Sequence, residues 1–347
     1  MQQRSNIVFP AEWHPQQAVQ LTWPHEDTDW ADDLESVLPC FVQIAHEILK
    51  RESLWVVCRR ATDVQNALDP LILQTYGHRL HCLELPSNDT WARDHAPLTV
   101  YEEGIPTLLD FQFNGWGNKF DARLDNALNR SMYTAGFFPS NVRFSDHQSF
   151  VLEGGSVESD GCGTLLTTRS CLLAEQRNQP LSQDEIEAQL CAFFGAKQVL
   201  WLNHGYLSGD DTDGHIDMLA RFCDEKTLAY VQALDESDEH TPELLLMKKE
   251  LQAFRTLDGD PYQLIPLPMA EAIVENGERL PASYANFLIL NDAVLLPIYG
   301  SSRDSMAISQ LQQAFPTREV VGIPCVPLIR QHGSLHCLTM QYPRLTE

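Results

Sequence analysis

Short apolar runs rich in β-branched residues recur along the chain, at 54–58, 98–101, 107–113, 164–168, 198–202, 227–233, 287–290, 293–297 and 319–323. Each is long enough for a strand and too short for a helix. Asn291-Asp292 separates two of them and predicts a two-residue hairpin turn. Helical patterns lie between the runs. Residues 32–50 are amphipathic, with Pro39 expected to end or kink the first turns. Residues 182–194 open with a capping signature, Ser182 followed by Glu185. Residues 241–254 begin Thr-Pro-Glu, which puts Pro242 at the permissive first helical position, and 304–315 stop before Pro316. Hairpins mix with crossover helices in an irregular rhythm. That rhythm predicts a mixed α/β fold of strand-rich modules rather than a doubly wound parallel sheet. No repeat of fixed period is visible, so modular repetition does not follow from periodicity.

Length and charge narrow the classes. The 347 residues suffice for a substantial core. The longest apolar runs, such as 293–297, are too short to span a bilayer. Residues 1–10 are polar and carry Arg4 without an apolar stretch, which predicts a cytoplasmic protein without a signal peptide. The formal net charge of −24 is unfriendly to nucleic acid and suits a cationic substrate. There are nine cysteines and no Cys-x-x-Cys pair, so neither a zinc ribbon nor a dithiol redox motif is supported. Most of them sit in apolar runs and read as small core residues.

Four polar clusters could carry chemistry. The densest runs from Gly209 to Asp217 and holds Asp211, Asp213, His215 and Asp217 ahead of a strand-like stretch. In an extended segment His215 and Asp217 share a face and make a plausible acid–base pair. Solvated loop and metal site are the alternatives, but the spacing of a calcium loop is absent. The second cluster, Asn88 to Asp94, holds Trp91, which could stack on a planar cation, and Asp94, which could take paired hydrogen bonds from a guanidinium. An ion pair of Arg93 under a buried tryptophan is the structural alternative. In the third, Glu153 ends an apolar run and precedes Gly154-Gly155. The fourth, Gln331 to Thr339, places Cys337 among polar neighbours, unlike the core cysteines. His336 is adjacent, so in a strand it faces away and is a poor base for Cys337; His215, brought close by the fold, is the better partner.

Taken together and in order, these clusters resemble the agmatine deiminase family, which belongs with the bacterial-type peptidylarginine deiminases. The resemblance covers nearly the whole chain. It includes Phe9-Pro10-Ala11-Glu12-Trp13, Thr22-Trp23-Pro24, Trp91-Ala92-Arg93-Asp94, Glu153-Gly154-Gly155-Ser156, the Asp211 to Asp217 segment, Ser283-Tyr284-Ala285-Asn286-Phe287 and His336-Cys337-Leu338-Thr339. It implies one α/β domain over 1–347, a pentein propeller of five pseudo-symmetric strand-rich modules around a central active site. It also implies that Asp94, Glu153, His215, Asp217 and Cys337 meet there as the catalytic residues. Asp94 and Asp217 would hold the guanidinium, Glu153 would orient or polarise His215, Cys337 would attack the guanidinium carbon, and His215 would move the proton. No metal or organic cofactor is needed. Agmatine would give N-carbamoylputrescine and ammonia, feeding putrescine synthesis, and a homodimer is expected, with no nucleic-acid or membrane partner.

Trp91, Trp116 and Asp213 complete the expected substrate-binding set. Departures from the family pattern are His332 in an otherwise Gly-rich stretch, Ala96 in place of a Gly, and Asp213 in place of an Asn. Alternatives are a deiminase of free or peptidyl arginine, a silent guanidine- or polyamine-binding protein, and a metal-dependent hydrolase using the Asp-rich loop. A free-arginine enzyme needs a cation for the substrate carboxylate, for which Arg93, Arg123 and Arg330 are the candidates.

Overall fold

The computed structural model describes residues 6–345; Arg4 of the polar N-terminal stretch lies outside the described residues. Every run expected as a strand forms one: Ser53–Cys58, Leu98–Glu102, Ile105–Gln112, Thr164–Thr168, Gln198–Leu202, Thr227–Gln232, Leu288–Ile289, Ala293–Ile298 and Glu319–Pro324. Asn291-Asp292 makes the predicted turn, closed by Leu290 N–H donating to Ala293 O at 2.8 Å. Further strands escape the apolar pattern. Gln16–Thr22 carries Gln16 and Gln20 in the interior, where Gln16 Nε2 donates to Ile289 O (2.8 Å) and Gln20 Oε1 accepts from Tyr342 Oη (2.7 Å).

Five sheets repeat one order: two antiparallel strands, a helix, then a third strand parallel to the second. In the first, Leu98–Glu102 and Ile105–Gln112 are followed by helix Arg123–Thr134 and strand Arg143–Val151. The second joins Val157–Ser159 and Thr164–Thr168 through Gln183–Phe194 to Gln198–Leu202. The third joins Ala220–Asp224 and Thr227–Gln232 through Thr241–Ala253 to Gln263–Pro268. The fourth joins Leu288–Ile289 and Ala293–Ile298 through Asp304–Ala314 to Glu319–Pro324. The fifth is closed by the two ends of the chain: Thr339–Pro343 pairs antiparallel with Gln16–Thr22, and helix Leu34–Arg51 leads to parallel Ser53–Cys58.

The helices follow their sequence signals with one exception. Ser182 caps Gln183–Phe194 in a complete capping box with Glu185. Leu34–Arg51, however, runs unbroken through Pro39. The missing N–H costs one early hydrogen bond, and the buried face of Val37, Cys40, Phe41, Ile44 and Ile48 holds the helix in place. Cys40, Cys58, Cys171, Cys223 and Cys325 are buried as expected, whereas Cys162 is exposed. Among the described residues no helix is long and apolar enough to cross a membrane.

Candidate active site

The segment just before the first strand of each sheet carries the polar groups. Asp94 precedes Leu98–Glu102, Glu153 precedes Val157–Ser159, and His215 and Asp217 precede Ala220–Asp224. Asn286 precedes Leu288–Ile289, and Cys337 precedes Thr339–Pro343. Four of these five segments hold short turns of helix rather than extended chain: Ala92–His95 is α-helical, while Gly154–Ser156, Ile216–Met218 and His336–Leu338 are 3₁₀. The extended geometry expected around His215 and Cys337 is therefore corrected. The convergence of side chains is made by the tight turns, which turn the chain from one sheet to the next.

Asp94, His215 and Asp217 meet over Gly155. A Cβ at that glycine would stand 2.7 Å from His215 Nδ1, 2.9 Å from Asp94 Oδ1 and 3.1 Å from Asp217 Oδ2, so only glycine fits. His215 Nδ1 lies 3.6 Å from Asp94 Oδ1. Burial opposes a charge on His215, but the Asp94 carboxylate, with Cys171 and Glu153, outweighs it and raises the imidazole pKa well above its ordinary value. Asp94 itself is pushed up to about 6, first by burial and then by Asp217, against the opposing pull of His215 and the Trp116 indole. Trp116 Nε1 donates to Asp94 Oδ2 at 2.9 Å, and Gly155 N–H donates to Oδ1 at 3.0 Å.

Asp217 is held in the opposite state. Burial would raise it, but the hydrogen bond and charge of His336 hold it below the usual carboxylate range. Its Oδ2 faces His336 Nδ1 at 2.8 Å and Cys337 Sγ at 3.8 Å, while Oδ1 is buried without a partner. Burial, then the carboxylates of Asp217 and Asp94, push the Cys337 thiol well above its ordinary pKa. The resting sulfur is therefore protonated at neutral pH. Asn286 was not singled out from sequence for any role. Its Nδ2 lies 3.3 Å from Cys337 Sγ and 3.3 Å from Asp217 Oδ2, and its Oδ1 accepts from His336 N–H at 2.8 Å.

Glu153 faces His215 but is held by another residue that no motif announced. Arg177, buried, approaches both Glu153 oxygens with Nε at 3.1 and 3.2 Å, donates to Asp213 Oδ2 at 2.6 Å, and reaches Thr212 O at 2.8 Å. Asp213 thus ties down the His215 loop, with Lys119 as its second partner at 2.9 Å, and does not line the cavity over Cys337. Two buried groups have metal-like proximity, Glu153–Cys171–His215 and Glu12–Glu158–His336. In each a guanidinium already occupies a carboxylate, Arg177 in the first and Arg221 in the second, which does not suit a divalent cation.

A cavity of about 420 Å³ ends at Cys337 and Asp94. Trp91 and Trp116 line its walls, and its mouth carries Asp29, Asp32, Asp33, Asp89 and Asp211. Gly333 lets the Trp91 ring lie against the chain, since any side chain there would collide with it. Arg330 lines the cavity but pairs with Glu275 at 3.1 Å. Arg93 is buried behind the site, 3.8 Å from Glu12 and not paired with Asp94, and Arg123 pairs with Asp121 at the surface.

The model of the Porphyromonas-type peptidyl-arginine deiminase family matches residues 8–343. The chain belongs to that family. A Vibrio parahaemolyticus member, provisionally named an agmatine deiminase, is 32% identical, and the match covers 98% of each chain. A Porphyromonas gingivalis structure, provisionally described as an arginine deiminase, is 53% identical with TM-score 0.94, over 98% of this chain and 99% of that one. The agmatine deiminase of Campylobacter jejuni, solved with substrate bound, is 34% identical with TM-score 0.90, over 98% of this chain and 97% of that one. Pseudomonas aeruginosa dimethylarginine dimethylaminohydrolase, 12% identical with TM-score 0.51 over 94% of this chain and all of the other, shares the fold alone.

Proposed function

We propose that this family member is an agmatine deiminase, releasing ammonia from the guanidinium of agmatine to leave N-carbamoylputrescine. The observation that carries the reading is the cavity. It ends in the Asp94 carboxylate and the Cys337 thiol, is walled by tryptophans, and opens through a ring of aspartates. A guanidinium at the base suits Asp94 and the unpartnered Oδ1 of Asp217. A second cationic group on the substrate suits the mouth. Asp89 is raised to about 8 by burial and by Asp125 and Asp29, so an ammonium group beside it would favour its ionisation.

The chemistry follows from the charge states. The guanidinium settles between Asp94 and Asp217, offsets their charge beside Cys337, and lowers the thiol pKa. The thiol proton passes to solvent through the cavity mouth, and the thiolate forms an S–C bond to the guanidinium carbon. His215, protonated beside Asp94, gives its proton to the departing nitrogen as the C–N bond breaks and ammonia leaves. Water then adds to the thiouronium carbon, with neutral His215 taking its proton. The hydroxyl proton passes to the departing sulfur as the C–S bond breaks, which restores the Cys337 thiol and leaves the carbamoyl product. Glu153 and Arg177 orient His215 and its loop. The same proposal includes one functional unit over 1–347, five modules set as a propeller around this site, and a cytoplasmic role supplying putrescine synthesis.

A second reading, free arginine as substrate, draws on the 53% identity to the Porphyromonas gingivalis structure. It requires Arg330 to exchange Glu275 for the substrate carboxylate. Ammonia release from agmatine, free arginine and a blocked arginine peptide, with Cys337→Ala beside the wild type, separates the readings. Turnover of agmatine alone, lost in the variant, supports the first. Preference for arginine overturns the substrate and keeps the chemistry.

A further inference from the structure

Behind Asp217 lies a buried charge network that the reaction does not use directly. His336 Nδ1 faces Asp217 Oδ2 at 2.8 Å, and His336 Nε2 faces Glu12 Oε2 at 2.8 Å. Glu12 is anchored on every side: Arg221 Nη2 donates to Oε2 at 2.7 Å, Ile289 N–H donates to Oε1 at 2.7 Å, and Arg93 stands at 3.8 Å. Arg221 also binds Glu158. Glu12 comes from the Phe9–Trp13 stretch near the start of the chain, more than three hundred positions from the imidazole it holds.

We propose that Glu12 is a positioning residue for the guanidinium site: it holds His336 from behind, and His336 holds Asp217 with its second oxygen free for the substrate. The inference rests on reading Asp217 as a guanidinium ligand. An imidazole between two carboxylates can serve both only through protons on its two nitrogens. Burial, then the Arg221 and Arg93 guanidiniums, outweigh Glu12 and Asp217 and leave the His336 pKa below its ordinary value, so the second ring proton depends on both carboxylates staying in reach. Glu12 is held ionised, with Arg221 and His336 outweighing its burial. The ring orientation, and with it the charge on Asp217, therefore depends on Glu12 staying in reach. The other groups acting on Asp217 are Asn286, Cys337, His215, Asp94 and the Arg221 and Arg93 guanidiniums.

Glu12→Asp is the informative variant. It keeps the charge beside Arg221, which Glu158 also pairs, and withdraws the carboxylate from His336 by one methylene. Ammonia release against pH is measured for the wild type, Glu12→Asp, His336→Gln and the double variant, with thermal melts for each. We expect kcat/KM at the optimum to fall about tenfold or more in each single variant. The acid limb should move to higher pH, because Asp217 loses the donor that keeps it ionised, and the double variant should be little worse than either single one. A folded Glu12→Asp with a wild-type pH profile, or losses that multiply in the double variant, overturns the inference. Should Glu12→Asp fail to fold, His336→Gln decides alone: a shifted acid limb supports the relay and an unshifted one refutes it. An inactive wild type would instead defeat the deiminase reading.

Discussion

Asp94 receives a hydrogen bond from the Trp116 indole while the same tryptophan walls the cavity. Trp116 adopts a left-handed backbone, φ 54°, between Gly115 at 66° and Gly117 at 89°. A bulky residue held there costs of order 1–3 kcal/mol, which the surrounding contacts must offset. The indole N–H favours the ionised form of Asp94, whose carboxyl is otherwise raised to about 6. Since a protonated Asp94 no longer attracts the guanidinium, kcat/KM should fall as pH drops through about 6. Trp116→Phe keeps the apolar wall and removes the donor. A hydrogen bond to a charged group contributes about 1.5–3 kcal/mol, so the acid limb should rise by about one to two pH units. A pH–rate profile of the two proteins checks this, and an unmoved limb would detach Trp116 from Asp94. At the same scale, His215→Ala should cost about 10²–10⁴ in kcat if it moves the proton, read by ammonia release at the pH optimum.

Between elements, Glu52 joins the end of helix Leu34–Arg51 to the Asn291 turn, whose side-chain amide donates to Glu52 Oε2. Burial, with Asp292 adding to it, raises Glu52 to about 8 against an ordinary value of 4.5. The folded state therefore binds this proton more tightly than the unfolded one. Its contribution is complete below about pH 4.5 and is lost as pH rises through about 8. Wild-type thermal midpoints should fall between pH 7 and pH 9, and Glu52→Gln should flatten that fall, ending about 2–4 °C above wild type at pH 9. Parallel curves would remove Glu52 as the cause. This contact also shows what the sequence could and could not tell. Runs such as 54–58 and 293–297 were legible almost to the residue because both faces are buried and no polar side chain interrupts them. Gln16–Thr22 and Arg143–Val151 were hidden because glutamines or alternating polar residues break the run. Asp94, Glu153, His215, Asp217 and Cys337 stood out as dense clusters beside glycines. Arg177, Cys171 and the partners of Glu12 did not, because each acts through a contact made only when distant turns meet.

At the scale of the molecule, the five repeated sheets bring five pre-strand turns to one place, and the acidic balance of the chain reaches its sharpest form at the mouth of the resulting cavity. A net charge of −24 produces an attractive field for cations that salt screens over about 10 Å at 0.1 M. Steering acts on encounter and not on the chemical step. Raising ionic strength from about 0.02 to 0.5 M should therefore lower kcat/KM for agmatine by about tenfold while leaving kcat nearly unchanged. The size of the effect also tests the tail. Agmatine carries a second positive charge where arginine carries a compensating carboxylate, so the salt slope for agmatine should be the steeper. Asp32→Asn, at the mouth, should weaken agmatine through KM and reduce its salt slope more than that for arginine. Equal slopes for the two substrates would mean that the aspartate ring takes no part in recognising the tail. Selectivity would then have to come from the tryptophan walls and from the pairing of Arg330 with Glu275.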